Sequence, residues 1–209
     1  MPGPATGIVF LPGWGFDVQV ASLAGLSGVL GPEGFLDPAS LVPDLASGLD
    51  AWGPAPVHLV GWSLGGYLAL SFAQAQPARV ASLTLVGMRA SWPAAEIDAL
   101  AARFQADPAD FLAWFRRLAL LGLPAGWQRF QELPALPLDA EARKRLLAGL
   151  SCLAGRIPRP VAGIPTRILH GAKDRIAPPA EALSFPGCPP RLLPRAGHLP
   201  FLRGLVGPV

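Results

Sequence analysis

A serine between two glycines, in the pentapeptide Gly61-Trp62-Ser63-Leu64-Gly65, joins two segments of different character. Residues 56–60 before it form a short apolar run rich in β-forming residues, and residues 66–73 after it are typical of a helix. A strand, a tight turn and a helix in this order place the serine oxygen at a helix N-terminus, where the helix dipole favours a developing negative charge. The pattern therefore predicts that Ser63 is a nucleophile on a sharp strand-to-helix turn.

Other apolar runs alternate with segments of helical character along the chain. Together with the run before the serine, they predict strands at 7–11, 56–60, 81–87, 166–171 and 191–194. Asp17 is expected to cap a helix that continues to about Leu26, and residues 45–52 predict a weak helix. This alternation predicts an α/β fold with a mostly parallel sheet and helices on both faces.

The segment between the third and fourth predicted strands is longer than one crossover requires. Asp107-Pro108 predicts a helix start, because aspartate caps helices and proline is favoured at the first helical position. Asp139 predicts the start of another helix. We therefore expect a helical cap at about 90–157, inserted between strands and lying over the C-terminal edge of the sheet, where α/β folds bind ligands. Residues 1–209 are predicted to form a single domain with this insertion.

Composition excludes several classes of protein. The chain is 51% hydrophobic and 15% charged, which excludes disorder. No uninterrupted apolar stretch reaches about 18 residues, so no membrane span is expected. Residues 1–6 lack the basic start of an export signal, which predicts a cytoplasmic protein with free thiols at Cys152 and Cys188. Neither cysteine has metal-site spacing, no nucleic-acid motif occurs, and the net charge of +3 permits an acidic partner.

A nucleophilic serine needs a base, and the base needs an acid that orients it. His58 lies inside a predicted strand and is interpreted as structural, and His170 ends another strand. His198 falls in a loop after the last predicted strand, from which it can reach the serine, and is the predicted base. Asp174, in the loop after residues 166–171, is the predicted acid. The alternative acid is Glu181, which is expected at a helix start.

The oxyanion of an acyl-transfer intermediate needs two backbone N–H donors. We expect one from Leu64, the residue after the nucleophile. The other is expected from Trp14 in the loop that follows the first strand, because Pro12 in that loop has no N–H.

Four segments together resemble the α/β-hydrolase superfamily: Pro12-Gly13-Trp14-Gly15, Gly61-Trp62-Ser63-Leu64-Gly65-Gly66, His170-Gly171-Ala172-Lys173-Asp174 and Ala196-Gly197-His198. Within it, the sequence is most similar to the pimeloyl-[acyl-carrier protein] methyl ester esterases of biotin synthesis. The resemblance implies an α/β-hydrolase fold, a triad of Ser63, His198 and Asp174, and an oxyanion hole formed by the amides of Trp14 and Leu64. It implies no metal and no organic cofactor.

The sequence departs from that family in three places. The usual His-Gly after the first strand is Pro12-Gly13, and no hairpin precedes the strand at 7–11. Only 209 − 198 = 11 residues follow His198, too few for a full final helix. We therefore expect a hydrolase that is reduced at both termini.

Aromatic and basic residues cluster in the predicted cap. Trp14, Phe111 and Phe115 are expected to contact an acyl chain, and Arg116 and Arg117 to contact an acidic carrier protein or its phosphate. The alternative is that the aromatic residues form helix-packing core and that the arginines form a solvated helix face.

The predicted function is that of a monomeric serine carboxylesterase, which by the resemblance acts on an acyl ester borne by acyl-carrier protein. Two alternatives remain at this stage. One is a thioesterase or general short-chain esterase without a carrier partner, and the other is a non-catalytic ligand-binding protein with a hydrolase fold.

Overall fold

The computed structural model describes residues 7–52 and 56–206. Five strands form one sheet, in which the spatial order follows the chain and every pair of neighbours is parallel. The strands are β1 (Ile8–Leu11), β2 (Val57–Trp62), β3 (Val80–Val86), β4 (Thr166–Gly171) and β5 (Arg191–Leu193). The predicted strands and their parallel arrangement are confirmed.

The α-helices in the described part of the chain are α1 (Leu41–Trp52), α2 (Leu64–Ala75), α3 (Ala94–Ala106), α4 (Pro108–Ala119), α5 (Gly126–Gln131) and α6 (Ala140–Leu153). Helices α3 to α6 lie between β3 and β4, in the segment predicted to form a cap. Asp107 and Asp139 cap α4 and α6 as predicted, because their carboxylates accept the N–H of Asp110 at 3.0 Å and of Ala142 at 2.8 Å. The single-domain organisation and the cap limits remain predictions.

The helix predicted from Asp17 to about Leu26 is shorter than predicted. The segment forms one 3-10 helix, Val18–Ser22, although Asp17 caps it by accepting the N–H of Gln19 at 3.1 Å. The chain then turns at Gly25, whose φ of +76° ends any helical continuation. The weak helix predicted at 45–52 is longer and starts at Leu41.

Side chains along the strands alternate between two buried faces of the sheet. Val9 and Leu59 belong to the core cluster that α1 and α2 cover. Phe10 and Val60 point to the opposite face, which the 3-10 helix and the loop at 199–206 cover. Because both faces are buried, the strands read as continuous apolar runs in the sequence. The core cluster on this second face also includes Ala119 of α4, and Phe130 of α5 packs against it.

The carboxyl ends of the parallel strands meet at one edge of the sheet. The loops that leave β1, β2, β4 and β5 at this edge carry Trp14, Ser63, Asp174 and His198, respectively. Parallel topology therefore brings the predicted site residues to one place. Across residues 7–52 and 56–206, no helix combines the length and apolar character needed to cross a membrane.

Candidate active site

Ser63 occupies a strained turn between β2 and α2. Its φ of 53° and ψ of −119° lie outside the regions that L-residues normally adopt. The Ser63 N–H donates to the carbonyl of Val86 at 2.8 Å, which anchors the turn on the end of β3. A Cβ atom at Gly65 would lie 2.1 Å from the carbonyl oxygen of Leu11, so only glycine fits where the turn meets the end of β1. Strain of this kind, held by surrounding structure, is typical of functional sites.

Asp174 and His198 form a buried pair. Nδ1 of His198 lies 2.7 Å from Oδ2 of Asp174. The second carboxylate oxygen of Asp174 accepts the backbone N–H groups of Ile176 at 2.8 Å and Ala177 at 2.9 Å. These bonds fix the carboxylate plane, and the carboxylate in turn orients the imidazole ring.

Two opposing effects act on the pKa of Asp174. Burial raises it, but the charge and hydrogen bond of His198 and the backbone N–H groups of Ala177 and Ile176 outweigh burial, so the pKa of Asp174 falls below its ordinary value. An ionised carboxylate accepts hydrogen bonds only, so Nδ1 of His198 carries a proton, and in the neutral form of the imidazole Nε2 then has the lone pair. Among the described residues, Nε2 of His198 has no hydrogen-bond partner, and the structure does not join it to Ser63 by a hydrogen bond.

The loop that carries His198 packs against the ends of β2 and β3. The indole N–H of Trp62 donates to the carbonyl of His198 at 2.9 Å. A Cβ atom at Gly87, whose φ is +60°, would lie 2.8 Å from the same carbonyl. Trp62 directly precedes Ser63, so these contacts place His198 beside the serine turn. Sequence reasoning missed both roles, although a glycine at a strand end and a tryptophan inside the serine box were available as signals.

The alternative acid Glu181 and the histidine His58 make other contacts. His58 bonds to Oγ of Ser82 at 2.7 Å within the sheet, and burial, together with the charge of Arg167, lowers its pKa. This contact fits the structural interpretation of His58. Glu181 is held by an ion pair with Arg89. Asp174 is therefore the carboxylate that contacts His198.

His170 is fully buried beside the Asp174 loop. Its Nε2 bonds to the carbonyl of Ala177 at 2.8 Å and lies 3.6 Å from Oδ2 of Asp174. The N–H of Ala177 in turn donates to Asp174, so His170 supports the loop that holds the acid. The sequence showed a histidine at the strand end but gave no sign of this contact.

The loop after β1, residues 12–16, is called the oxyanion loop below. No hydrogen bond within the described residues uses the backbone N–H of Trp14 or of Leu64, the two predicted oxyanion donors. Leu64 is the first residue of α2, so its N–H belongs to the unpaired donors of a helix N-terminus. Both groups are thus available to an acceptor, and their role in an oxyanion hole stays a prediction.

The aromatic residues predicted to contact substrate pack against one another. The Phe111 and Phe115 rings meet the Trp14 indole edge to face, with centroids 5.9 and 4.9 Å apart. Phe111 is only 3% exposed, and the indole N–H of Trp14 donates to the carbonyl of Leu146 at 2.7 Å. These contacts fit the helix-packing alternative; contact with an acyl chain stays a prediction.

Arg116 and Arg117 differ although they are neighbours on α4. Arg117 is exposed and stacks over Trp127 at 4.8 Å. Arg116 is half-buried, and its Nε donates to the carbonyl of Gly15 at 2.8 Å. Burial lowers the pKa of Arg116 to about 10 against the opposing charge of Asp17, so the guanidinium is charged at neutral pH. The alternative of one solvated basic face is therefore wrong for Arg116.

A cavity of about 250 Å³ opens beside the Arg116 side chain. Phe16, Asp17 and Phe130 line it together with Arg116. Because Phe16 belongs to the oxyanion loop, this cavity lies next to the predicted site. Ser63 does not line it.

Comparisons with known proteins identify relatives of this chain. The pimeloyl-[acyl-carrier protein] methyl ester esterase of Chromobacterium violaceum is 33% identical, over 78% of this chain and 70% of that protein. The esterase of the same name from Aromatoleum aromaticum is 31% identical, over 93% of this chain and 92% of that protein. These relatives confirm the predicted resemblance.

Solved structures agree on the fold. BioG from Haemophilus influenzae superposes with a TM-score of 0.69 at 19% identity, over 97% of this chain and 92% of that chain. The sequence profile described as the alpha/beta hydrolase family matches residues 8–205. The predicted α/β-hydrolase fold is confirmed, and the chain belongs to the α/β-hydrolase family.

Proposed function

We propose that this chain is a serine carboxylesterase that hydrolyses the methyl ester of pimeloyl-[acyl-carrier protein]. The observation that supports the proposal is the buried pair of His198 and Asp174, whose Nδ1–Oδ2 distance is 2.7 Å. A hydrogen bond from Trp62 holds the His198 loop beside the strained turn of Ser63. The enzyme class, carboxylic ester hydrolase, follows from the names of the relatives. The substrate and the residue roles are the proposed part.

Ser63 would form the acyl-enzyme in the first half of the reaction. Its Oγ attacks the ester carbonyl carbon while its proton passes to Nε2 of His198, the nitrogen left with a lone pair by the bond to Asp174. The N–H groups of Leu64 and Trp14 then hold the oxyanion, and donors of this kind each contribute about 10²–10³ in rate. The carbon–oxygen bond to the methoxy group breaks, and His198 returns its proton so that methanol leaves.

Water completes the cycle. His198 takes a proton from a water molecule, and the resulting nucleophile attacks the acyl-enzyme carbonyl. The bond to Ser63 breaks, the proton on His198 returns to Oγ of Ser63, and the free carboxylic acid leaves and ionises in water. Asp174 stays ionised throughout and stabilises the imidazolium that forms twice in each turnover.

The choice of substrate rests on the relatives and on charge. Both relatives are named for a methyl ester carried on acyl-carrier protein. The cap of this chain adds exposed cations, among them Arg117 on α4 and Arg143 on α6. An acidic carrier would be attracted to them at long range.

The direct test offers the purified chain three substrates: pimeloyl-[acyl-carrier protein] methyl ester, free monomethyl pimelate and an acyl-carrier protein thioester without the methyl ester. Mass spectrometry of the carrier distinguishes loss of the methyl group from loss of the whole acyl chain. Ser63→Ala is the control for background hydrolysis. Rapid demethylation of the carrier-borne ester, absent in Ser63→Ala, supports the proposal.

The other outcomes identify the alternatives. Release of the acyl chain from the carrier would make the chain a thioesterase. Equal rates on carrier-borne and free esters would indicate a general esterase without a carrier partner. No turnover, together with no labelling of Ser63 by a fluorophosphonate, would leave a non-catalytic binding protein.

A further inference from the structure

We propose that the cap helices α4 and α6 hold the oxyanion loop in its working position through two hydrogen bonds, one from Arg116 and one from the indole of Trp14. Both are positioning residues here, because they act through the backbone of the loop. The inference rests on the proposed function for its catalytic consequence. The mechanical link itself does not depend on that function.

The first bond joins α4 to the loop. Nε of Arg116 donates to the carbonyl of Gly15 at 2.8 Å, and the guanidinium lies 5.1 Å from the centroid of the Phe130 ring. The side chain is half-buried, and a charge-assisted bond is stronger when water is largely excluded. Gly15 directly follows Trp14, so this bond holds the peptide unit next to the predicted oxyanion donor.

The second bond joins the same loop to α6. Nε1 of Trp14 donates to the carbonyl of Leu146 at 2.7 Å in a fully buried setting. A buried indole N–H that loses its acceptor is costly, so the indole follows α6 if that helix moves. The rings of Phe104 on α3 and Phe115 on α4 pack against the indole and leave it little freedom.

These two bonds bracket the Trp14 backbone. A displacement of α4 or α6 would pull Gly15 or the Trp14 side chain and thereby shift the Trp14 N–H. A misplacement of about 1 Å in a catalytic group can cost about 10²-fold in rate. A displaced cap would therefore misplace one of the two proposed oxyanion donors.

The test compares three variants. Arg116→Met removes the bond to Gly15 but keeps an unbranched chain against Phe130. Trp14→Phe removes the indole N–H but keeps a ring among the cap aromatics. The matched control is Arg103→Met, because Arg103 is also a cap arginine stacked on an aromatic ring, 4.6 Å from Trp114, yet among the described residues it forms no hydrogen bond with the loop.

Two readouts measure the order of the loop and the function of the oxyanion hole separately. Hydrogen exchange followed by mass spectrometry on a peptide spanning residues 8–17 reports the order of the loop without any substrate. Kinetics on a chromogenic short-chain ester, together with inhibition by an alkyl trifluoromethyl ketone, report the oxyanion hole, because the ketone forms a tetrahedral oxyanion on the serine. Thermal unfolding checks that each variant folds.

We expect faster exchange in the loop peptide for Arg116→Met and Trp14→Phe but not for Arg103→Met. We also expect kcat to fall about tenfold or more, KM to change less than about threefold, and ketone affinity to fall by the same factor as kcat/KM. Arg116→Lys should restore part of the loss, because its ammonium can still donate to the Gly15 carbonyl. If Arg116→Met does not fold, Trp14→Phe decides.

Unchanged hydrogen exchange of the loop peptide in both Arg116→Met and Trp14→Phe would overturn the inference. A loss in kcat without a loss in ketone affinity would overturn it as well. Equal losses in Arg103→Met would show general loosening of the cap and would also overturn it. Faster exchange in an enzyme whose wild type neither hydrolyses esters nor binds the ketone would refute the proposed function and leave the mechanical link standing.

Discussion

The indole N–H of Trp62 donates a 2.9 Å hydrogen bond to the backbone carbonyl of His198. Both residues are buried, and 136 positions separate them in the sequence. Because Trp62 directly precedes Ser63, the bond links the serine turn to the loop that carries the predicted base. The residue between glycine and serine in the Gly-Trp-Ser-Leu-Gly box therefore does more than fill the core.

Replacing Trp62 with phenylalanine should remove this link while keeping an aromatic ring. We expect kcat/KM on a small ester to fall about tenfold, because the His198 loop loses its tie to Ser63. The buried His198 carbonyl loses its donor, so the free energy of unfolding should fall by about 1–3 kcal/mol. Urea unfolding and steady-state kinetics measure the two effects. Trp127→Phe is the control, and a loss of stability with full activity would limit Trp62 to packing.

Ser63→Ala should abolish hydrolysis of a chromogenic short-chain ester without unfolding the chain. The hydroxyl supplies the nucleophilic oxygen, and its loss removes no packing contact that stabilises the fold. Asp174→Asn and His198→Ala should also cripple turnover, but combined with Ser63→Ala they should cost little more, because a triad acts as a unit. Circular dichroism verifies folding. Losses that multiply in the double variants would contradict a shared mechanism.

The sheet and the candidate site could be predicted because buried parallel strands appear in the sequence as continuous apolar runs. Apolar runs ending in loops identified the strands, and the topology then placed Ser63, Asp174 and His198 at one edge. The caps at Asp107 and Asp139 were also readable, since each is a local contact within one turn.

The contacts that sequence reasoning missed are long-range. The bond from Trp14 to Leu146 spans 132 positions and the bond from Arg116 to Gly15 spans 101, so no local pattern shows either. The helix after Asp17 was predicted too long, because the N-cap gives no information on length and the 3-10 helix at Val18–Ser22 is followed by the turn at Gly25.

The lowered pKa of Asp174 predicts a specific loss of stability in acid. A carboxyl with a lower pKa in the folded than in the unfolded state binds fewer protons when folded, so it stabilises the fold above its unfolded pKa of about 3.9. That stabilisation is lost as pH falls through the folded pKa. Asp174→Asn should therefore flatten the fall in the free energy of unfolding below about pH 4.

Urea unfolding at a series of pH values from about 3 to 6 measures this slope. The control is Asp98→Asn, which removes an exposed carboxylate of α3. For Asp98→Asn, the free energy of unfolding should change with pH as it does in the wild type. Identical slopes in the wild type and Asp174→Asn would contradict a folded-state pKa below the ordinary value.

The basic cap yields a prediction about substrate recognition. Arg116 bonds to the Gly15 carbonyl and Arg145 pairs with Glu141. Arg117 and Arg143 are exposed, and Nε of Arg143 also donates to the Leu138 carbonyl at 3.2 Å. If these exposed cations guide an acidic carrier, Arg117→Glu with Arg143→Glu should raise KM for the carrier-borne ester roughly fivefold, since rim charges act mainly on association.

A neutral chromogenic short-chain ester is the internal control, because it uses the same predicted triad but carries no charge and no acidic protein surface. Its kcat/KM should not change in the double variant. Added salt should imitate the charge reversal for the wild type, since the Debye length is about 8 Å at physiological ionic strength and shortens further as salt is added. Parallel losses on both substrates would mean that the arginines hold the cap together. No loss on either would leave Arg117 and Arg143 a solvated face, and the carrier would then be recognised elsewhere or not at all.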